Sequence, residues 1–338
     1  MKNKFYYVAQ AYHAVRTAGS KPGSDFEIVM RHKGFQNLGL KKITTSSIYI
    51  WWLWNWISVF IARIRMPKKG IVFLQYPEQR YIAKIVDRVQ KRKCQTAFLI
   101  HDVNELRGWG KNHPDWLQKA KFVIAHTPAM KDWLEKNYNL NNVIVLGMFD
   151  HLLKINSYKN TVLDNTPSIV FAGWIGKSAF LKEAIKNNPD LSFVLFGTGV
   201  TDELLTFKNV DYKGSCLPEE LPEKISGYNF GLVWDGDEID RCSGQMGEYV
   251  KYNCPYKSAS YLASGLPLIV WDKMAIAPFV VENKVGIVVN SLRELTDKIK
   301  KITDTEYDAL KRNVKLVNEK IITGGFYSDA LDEIISKS

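Results

Sequence analysis

"NCPYKSASYLASGLPLIVWD", residues 253–272, decides the fold. Pro255 opens a short helix of small residues, Gly265 ends it, and the apolar run "LPLIVW" follows at once as a buried strand. A helix feeding directly into a fully apolar strand is the repeating unit of a parallel α/β sheet. The helix start also carries Lys257, although helix N-termini are already positive and ordinarily recruit acids. A strongly anionic ligand at that point would resolve the conflict.

The same alternation extends outward in both directions. In the second half the strand candidates are "PSIVFAGW", "LSFVLFGTG", "VDYKGS", "NFGLVWDG", "LPLIVWD" and "GIVVN", separated by helical patterns such as "SAFLKEAIKNN" and "SLRELTDKIKKI". In the first half they are "KFYYVAQ", "FEIVMR", "GIVFLQYP", "TAFLIHDV", "KFVIAHT" and "NVIVLGMF", with helices at "YIAKIVDRVQKRK" and "PAMKDWLEKNY". A chain of 338 residues exceeds one ordinary domain. The expectation is therefore α/β with two Rossmann-like domains, at 1–152 and 165–320, joined through the polar stretch "DHLLKINSYKNTVLDNTP".

Charge is unevenly placed: residues 1–150 carry a net +14 and the remainder −3. A basic first half points to an anionic partner. Nucleic acid is disfavoured, because no helix-turn-helix, RNA-recognition or zinc-finger signature is present. The segment "SSIYIWWLWNWISVFIARIRMPKK" is too short in its apolar core to span a bilayer. Its tryptophans Trp51, Trp52, Trp54 and Trp56, followed by Arg63, Arg65, Lys68 and Lys69, suit a helix lying at a membrane surface. The competing reading is a core helix with a solvated basic end. Cys94, Cys216, Cys242 and Cys254 lack CxxC spacing, which argues against zinc and a disulfide framework. No secretory signal is read in "MKNKFYYVAQ", so a cytoplasmic protein is expected.

Open α/β sheets bind ligands beyond the carboxyl ends of their strands. At the helix starting near Pro255, the backbone N–H groups of Lys257, Ser258 and Ala259 are expected to be free, with hydroxyls from Ser258 and Ser260 beside them. A phosphate there would gain these donors, the helix dipole and the lysine together. "FAGWIGKS" offers Gly173 and Lys177 as a second anion-binding turn, and it does not match GxxxxGK[ST]. No GxGxxG follows the first strand, which counts against NAD and FAD. In "WDGDEIDRCSGQMGE", Asp235 and Asp237 read either as a divalent-metal pair or as residues that shape the loop or hold sugar hydroxyls. The second reading is preferred, with Ser243 and Glu248 in the same role and no metal. For acid–base work, His101 and Asp102 form the evident pair, with Glu105 and Arg107 one turn on. Asp150, at the join, is a second candidate base, and a buried helix-capping Asp is the competing reading for each.

"LIHDVNELRG", "GLVWDGDEIDRCSG", "GEYVKYNCPYKSASYL", "LIVWDKMAIAPFVVENKVG" and "KIITGGFYSDALDEII" together resemble the bacterial β-1,6-galactofuranosyltransferases of O-antigen and capsule synthesis. The wider family includes glucosyltransferases that extend GlcNAc on streptococcal adhesins. The resemblance implies a GT-B fold, two Rossmann-like domains facing each other across a cleft, with residues 321–338 as a helix crossing back to the first. It implies UDP-galactofuranose as donor, inversion, a lipid-linked glycan acceptor and no bound cofactor or metal. In that pattern Lys177 and the Lys257–Ser260 turn contact the UDP diphosphate and ribose, while Arg16 and Gly19 of "VRTAGS" face the nucleotide. The expected place is the inner face of the membrane, with homo-oligomerisation left open. UDP-glucose on a glycoprotein, or a silent sugar-nucleotide-binding partner of another transferase, are the rival readings.

Overall fold

The computed structural model describes residues 4–13, 18–77, 79–109 and 115–338. The chain divides into two compact units, Met1–Leu146 with Gly324–Ser338, and Gly147–Thr323.

In the first unit the strands are β1 (Phe5–Tyr7), β2 (Ala11–His13), β3 (Gln36–Asn37), β4 (Ile43–Thr45), β5 (Ile71–Tyr76), β6 (Gln95–Ile100), β7 (Phe122–Ala125) and β8 (Val143–Val145). Six of them form a parallel sheet in the order β3-β1-β5-β6-β7-β8, and β2 pairs β4 alongside. All of β5 is buried, as expected of an interior parallel strand covered on both faces. The chain leaves β1 toward one side and β5 continues on the other, so the order reverses between them.

The segment "FEIVMR" corrects the reading of a strand there. It lies in the helix Lys21–His32, with Pro22 in the first turn. Phe26, Val29 and Met30 are buried at helical spacing, and the apparent alternation of Phe26, Ile28 and Met30 was coincidence. The closing helix Gly325–Ser336 belongs to this unit: Tyr327 packs edge-on against Phe26 at 5.1 Å and its hydroxyl donates to Pro22 O at 3.1 Å.

The helix Ile48–Arg65 is built inside out. Its polar residues face the protein: Asn55 exchanges both amide contacts with the Ala11 backbone, at 2.9 and 3.1 Å, and Ser58 Oγ donates to Ala9 O at 3.0 Å. The large apolar residues point outward, with Trp52 51% and Trp56 45% exposed beside Phe60 and Ile64. The expectation of a core helix therefore fails, since a core helix would show the reverse. No helix among the described residues is long and apolar enough to cross a membrane.

In the second unit, β9 (Ser168–Trp174), β10 (Ser192–Thr198), β11 (Val210–Tyr212), β12 (Phe230–Val233), β13 (Leu268–Trp271) and β14 (Gly286–Val289) form a parallel sheet ordered β11-β10-β9-β12-β13-β14. The order reverses between β9 and β12, which is the topological switch of a doubly wound sheet. The helix Tyr256–Ala263 is fixed at both levels. Tyr261 Oη accepts from the Ala172 N–H of β9 at 2.7 Å. At the far end, Asn318 donates to Leu262 O and Ala263 O, and the Lys311 ammonium donates to Gly265 O at 2.5 Å. These donors meet carbonyls that a helix C-terminus leaves open. Burial pulls Lys311 down to about 8.

One buried acid tests the first unit. Glu27 is buried, with Oε1 accepting from Tyr12 Oη at 2.8 Å and from Gln10 N–H at 3.0 Å, and Oε2 without a partner. Burial pushes its pKa up to about 8. The folded pKa exceeds the ordinary 4.5, so the stabilisation is complete below that value and is lost as pH rises through about 8. Glu27→Gln keeps the shape and the acceptor. It should flatten this dependence, recovering up to about 1.4 kcal/mol per pH unit within the window, in chemical denaturation followed from pH 5 to 9.

Candidate active site

At the switch of the second unit, β9 ends in Phe171-Ala-Gly-Trp174 and β12 runs into Trp234-Asp235. Lys257, in the first turn of the Tyr256–Ala263 helix, lays its side chain over this edge. Its Nζ lies 4.5 Å from the centre of the Phe171 ring. A methyl group at Gly173 would stand 3.0 Å from Lys257 Cε, so the glycine is what makes room for the lysine. Lys257 is half-buried and has no carboxylate within ion-pair distance among the described residues. Burial lowers its pKa, and the charge of Lys177 lowers it further, while Asp235 works in the opposite sense. Two cations thus share a strand edge with no acid bonded to either among the described residues, and the first turn of the helix that carries Lys257 also lacks acids. Such a composition suits an anion.

The surroundings refine the expectation. Ser258 is buried and its hydroxyl has no partner, so a donor is held in reserve there. Its N–H is not free as expected, since it bonds Pro255 O at 2.9 Å. Ala259 and Ser260 are buried behind it. Lys177 is exposed at the end of the short turn Ile175–Lys177. Trp174, just before that turn, is 60% exposed although it follows a buried strand. Sequence reading passed over it; an aromatic at the last position of β9, between two glycines, was the available signal. Gly197 is required by packing: a methyl there would lie 1.7 Å from Gly173 O.

In the acidic loop, Asp235 is half-buried and accepts from Gly236 N–H at 3.1 Å, with Gly236 at φ +104°. Asp237 is exposed, and its N–H donates to Ser243 Oγ at 3.2 Å. Ser243 therefore holds the loop closed. Glu248 lies exposed and ion-paired to Lys251 at 2.6 Å, a surface contact. No three His, Cys, Asp or Glu side chains are grouped to hold a metal among the described residues.

The first unit carries a different polar set at the carboxyl edge of its sheet. His101 and Asp102 do not form the expected pair. His101 Nε2 contacts Gln75 Oε1 at 2.7 Å, whereas Asp102 is bound by Arg107 at 2.5 Å. Gln75 donates through its amide to Gly23 O and Tyr12 Oη, which orients its carbonyl toward the histidine. The proton of His101 is then on Nε2. Burial, with a further push from His126, lowers His101 to about 3, and burial lowers His126 to about 4. Both rings are neutral at physiological pH, so neither is a poised base. Asp102 remains partly open to solvent, and Arg107 also stacks on exposed Trp109 at 3.7 Å. Asp150, in the second unit, is wholly buried, which removes it as a solvent-accessible base. Gly19 is exposed in the turn Ala18–Ser20, and Arg16 lies outside the described residues.

The chain matches the family models "Glucosyltransferase 3-like, N-terminal domain" over residues 5–148 and "Glucosyltransferase 3-like, C-terminal domain" over 169–334. It is 34% identical over 282 residues to the β-1,6-galactofuranosyltransferase WbbI of Escherichia coli (strain K12), covering 82% of each chain. Identity to Glucosyltransferase 3 of Streptococcus parasanguinis is 27% over 260 residues, 73% of this chain and 72% of that one. Among solved structures, the apo form of the lipopolysaccharide outer core galactosyltransferase WaaB matches with a TM-score of 0.60 at 12% identity, over 98% of this chain and all of that one. WaaG, a glycosyltransferase involved in lipopolysaccharide biosynthesis, gives 0.55 at 9%, over 95% and 98%. At such identities the likeness is one of fold, and the fold is GT-B.

Gly173→Ala probes the lysine without touching it. The added methyl meets only Lys257 and Phe171 side-chain atoms, so the fold should persist while Lys257 shifts by a few tenths of an ångström. Titration with uridine diphosphate should show affinity lower by about threefold to tenfold, ~1 kcal/mol. Unchanged affinity would separate Lys257 from anion binding.

Proposed function

The chain belongs to the glucosyltransferase 3-like family, and from that premise we propose that it transfers galactofuranose from UDP-galactofuranose to a hydroxyl of a lipid-linked glycan in cell-surface polysaccharide synthesis. That it is a glycosyltransferase follows from its relatives. The choice of galactofuranose is supported by the 34% identical relative that carries this activity in its name. The observation that carries the chemistry is Lys257, an ammonium without an acid partner at the switch of the second sheet.

In this reading the bond between the anomeric carbon and the β-phosphate oxygen breaks, and its electron pair stays on UDP. Lys257 and Lys177 stabilise the charge that develops there, and Ser258 supplies a hydroxyl donor from a buried position. Such groups accelerate the reaction because they act most strongly as charge accumulates in the transition state. The acceptor oxygen attacks the opposite face, giving inversion, and loses its proton to a base. Asp102 is the carboxylate to test for this, since it is partly open and held in place by Arg107.

A donor screen with UDP-galactofuranose, UDP-galactose and UDP-glucose on a simple glucoside acceptor should give turnover with the first. Preference for UDP-glucose would move the reading to the streptococcal activity. Binding of all three without turnover would indicate a silent partner. Lys257→Met should weaken UDP binding by about tenfold to a hundredfold, as loss of a charge-assisted contact does, with an unchanged melting temperature.

The Ile48–Arg65 helix supports a place on the membrane surface. An outward apolar face about 27 Å long, ending in Arg63 and Arg65, suits insertion among anionic headgroups. Because Trp51 and Trp54 are half-buried, the residues to change are Trp52, Trp56 and Phe60. Replacing these three with serine should reduce flotation with phosphatidylglycerol vesicles at least tenfold and leave the protein as stable or more so. Undiminished flotation would detach the helix from this role.

A further inference from the structure

The first unit has its own switch, between β1 and β5, and the segment that follows β5 carries a second basic cluster. The Arg80 guanidinium lies 4.5 Å from the centre of the Trp51 indole and 5.5 Å from that of the Tyr81 ring. Lys84 Nζ stands 5.4 Å from the Tyr81 ring as well. Two cations thus share one aromatic ring, and neither has an ion-pair partner among the described residues. The nearby acid Asp87 is engaged by Lys91 at 2.9 Å and Arg63 at 3.7 Å. Aromatic faces attract cations but do not cancel the repulsion between two of them.

Two polar atoms in this cluster are buried without a hydrogen-bond partner, Arg80 Nε and Tyr81 Oη. Both are donors. Leaving such groups unsatisfied costs free energy unless a ligand meets them. Their placement is firm: Arg80 N–H donates to Gln10 Oε1 at 2.9 Å, which links it to the loop after β1. Tyr81 sits at φ +53° and starts the helix Ile82–Lys91, which has neither a side-chain cap nor an acid in its first turn. Trp51 belongs to the first turns of the outward-facing apolar helix, whose exposed residues nearby are Ile48, Tyr49, Ile50 and Trp52.

We propose that Arg80, Tyr81 and Lys84 bind the diphosphate of the lipid-linked acceptor, with its hydrocarbon chain along the apolar face that starts at Trp51. This rests on the reading of a lipid-linked acceptor given above. A diphosphate matches the cluster in charge and in donors. Arg80 offers a planar fork, Lys84 a second charge, and Tyr81 a hydroxyl. The neighbouring apolar helix identifies the carrier of that diphosphate as a lipid rather than a free nucleotide.

Binding can be measured without turnover, which separates this proposal from the reading of the donor. Octyl diphosphate and octyl glucoside are titrated calorimetrically into the full chain with UDP present at saturation. Arg80→Met and Lys84→Met should each lower octyl diphosphate affinity about tenfold and leave octyl glucoside unaffected. Arg80→Lys, which keeps the charge and loses the fork, should fall between and guards against a folding defect in the methionine variant. Unchanged octyl diphosphate affinity in both methionine variants overturns the proposal. Equal loss for the two ligands does so as well, because it would mean that only the apolar face is felt. A loss confined to phosphatidylglycerol vesicles, with octyl diphosphate binding intact, would assign the cluster to bilayer headgroups and also overturn it.

Discussion

Lys257 is held by geometry instead of by a counter-charge, and the second unit is organised around that fact. An ammonium beside an aromatic ring, next to Lys177 and with no bonded carboxylate among the described residues, is unfavourable by itself. It persists because its helix is fastened elsewhere. Tyr261 ties the helix to β9, and Asn318 and Lys311 hold its closing carbonyls from the Asp304–Thr323 helix. Glycine at 173 then leaves the lysine its space. The stability of surrounding contacts is what lets one residue remain electrostatically unsatisfied, a common arrangement at sites that await a charged ligand.

The first unit follows the same logic with different chemistry. Its carboxyl edge is lined by neutral, mutually oriented groups: Gln75 between Gly23, Tyr12 and His101, and His126 bound to Ile100 O at 2.8 Å. Neutrality here is imposed by burial, which keeps both rings uncharged and Glu27 protonated over most of the physiological range. The basic surplus of the sequence is therefore not in this interior. Part of it lies at Arg80 and Lys84 and at the end of the apolar helix. One apolar face beside cations is the combination on which the proposed place at a membrane surface rests.

Much of this was legible in the residues. The apolar strands of both sheets announced themselves as continuous runs, and Lys257 stood out because a lysine in the first turn of a helix contradicts the dipole. What failed were pairings and facings. His101 and Asp102 are adjacent in the chain, but successive residues leaving a strand point apart, so each found a different partner in Gln75 and Arg107. "FEIVMR" fits both periods over so short a window, and only the tertiary context chose helix. The tryptophans of residues 51–56 could be counted, but which of them faced outward depended on Asn55 and Ser58 bonding inward to the backbone of Ala11 and Ala9. Arg80 carried no motif at all; that no described acid pairs with it is visible only in three dimensions.

The closing helix adds a temporal consequence. Tyr327 closes on Phe26 and Pro22 across some 300 residues of chain, whereas the second unit is continuous from Gly147 to Thr323. On the ribosome, everything needed for the second sheet emerges before the last element of the first core exists. The first unit must then wait, with the apolar side of the Lys21–His32 helix uncovered, until residues 325–336 emerge. A nascent chain is thus exposed to aggregation at that helix for as long as residues 325–336 have yet to be made.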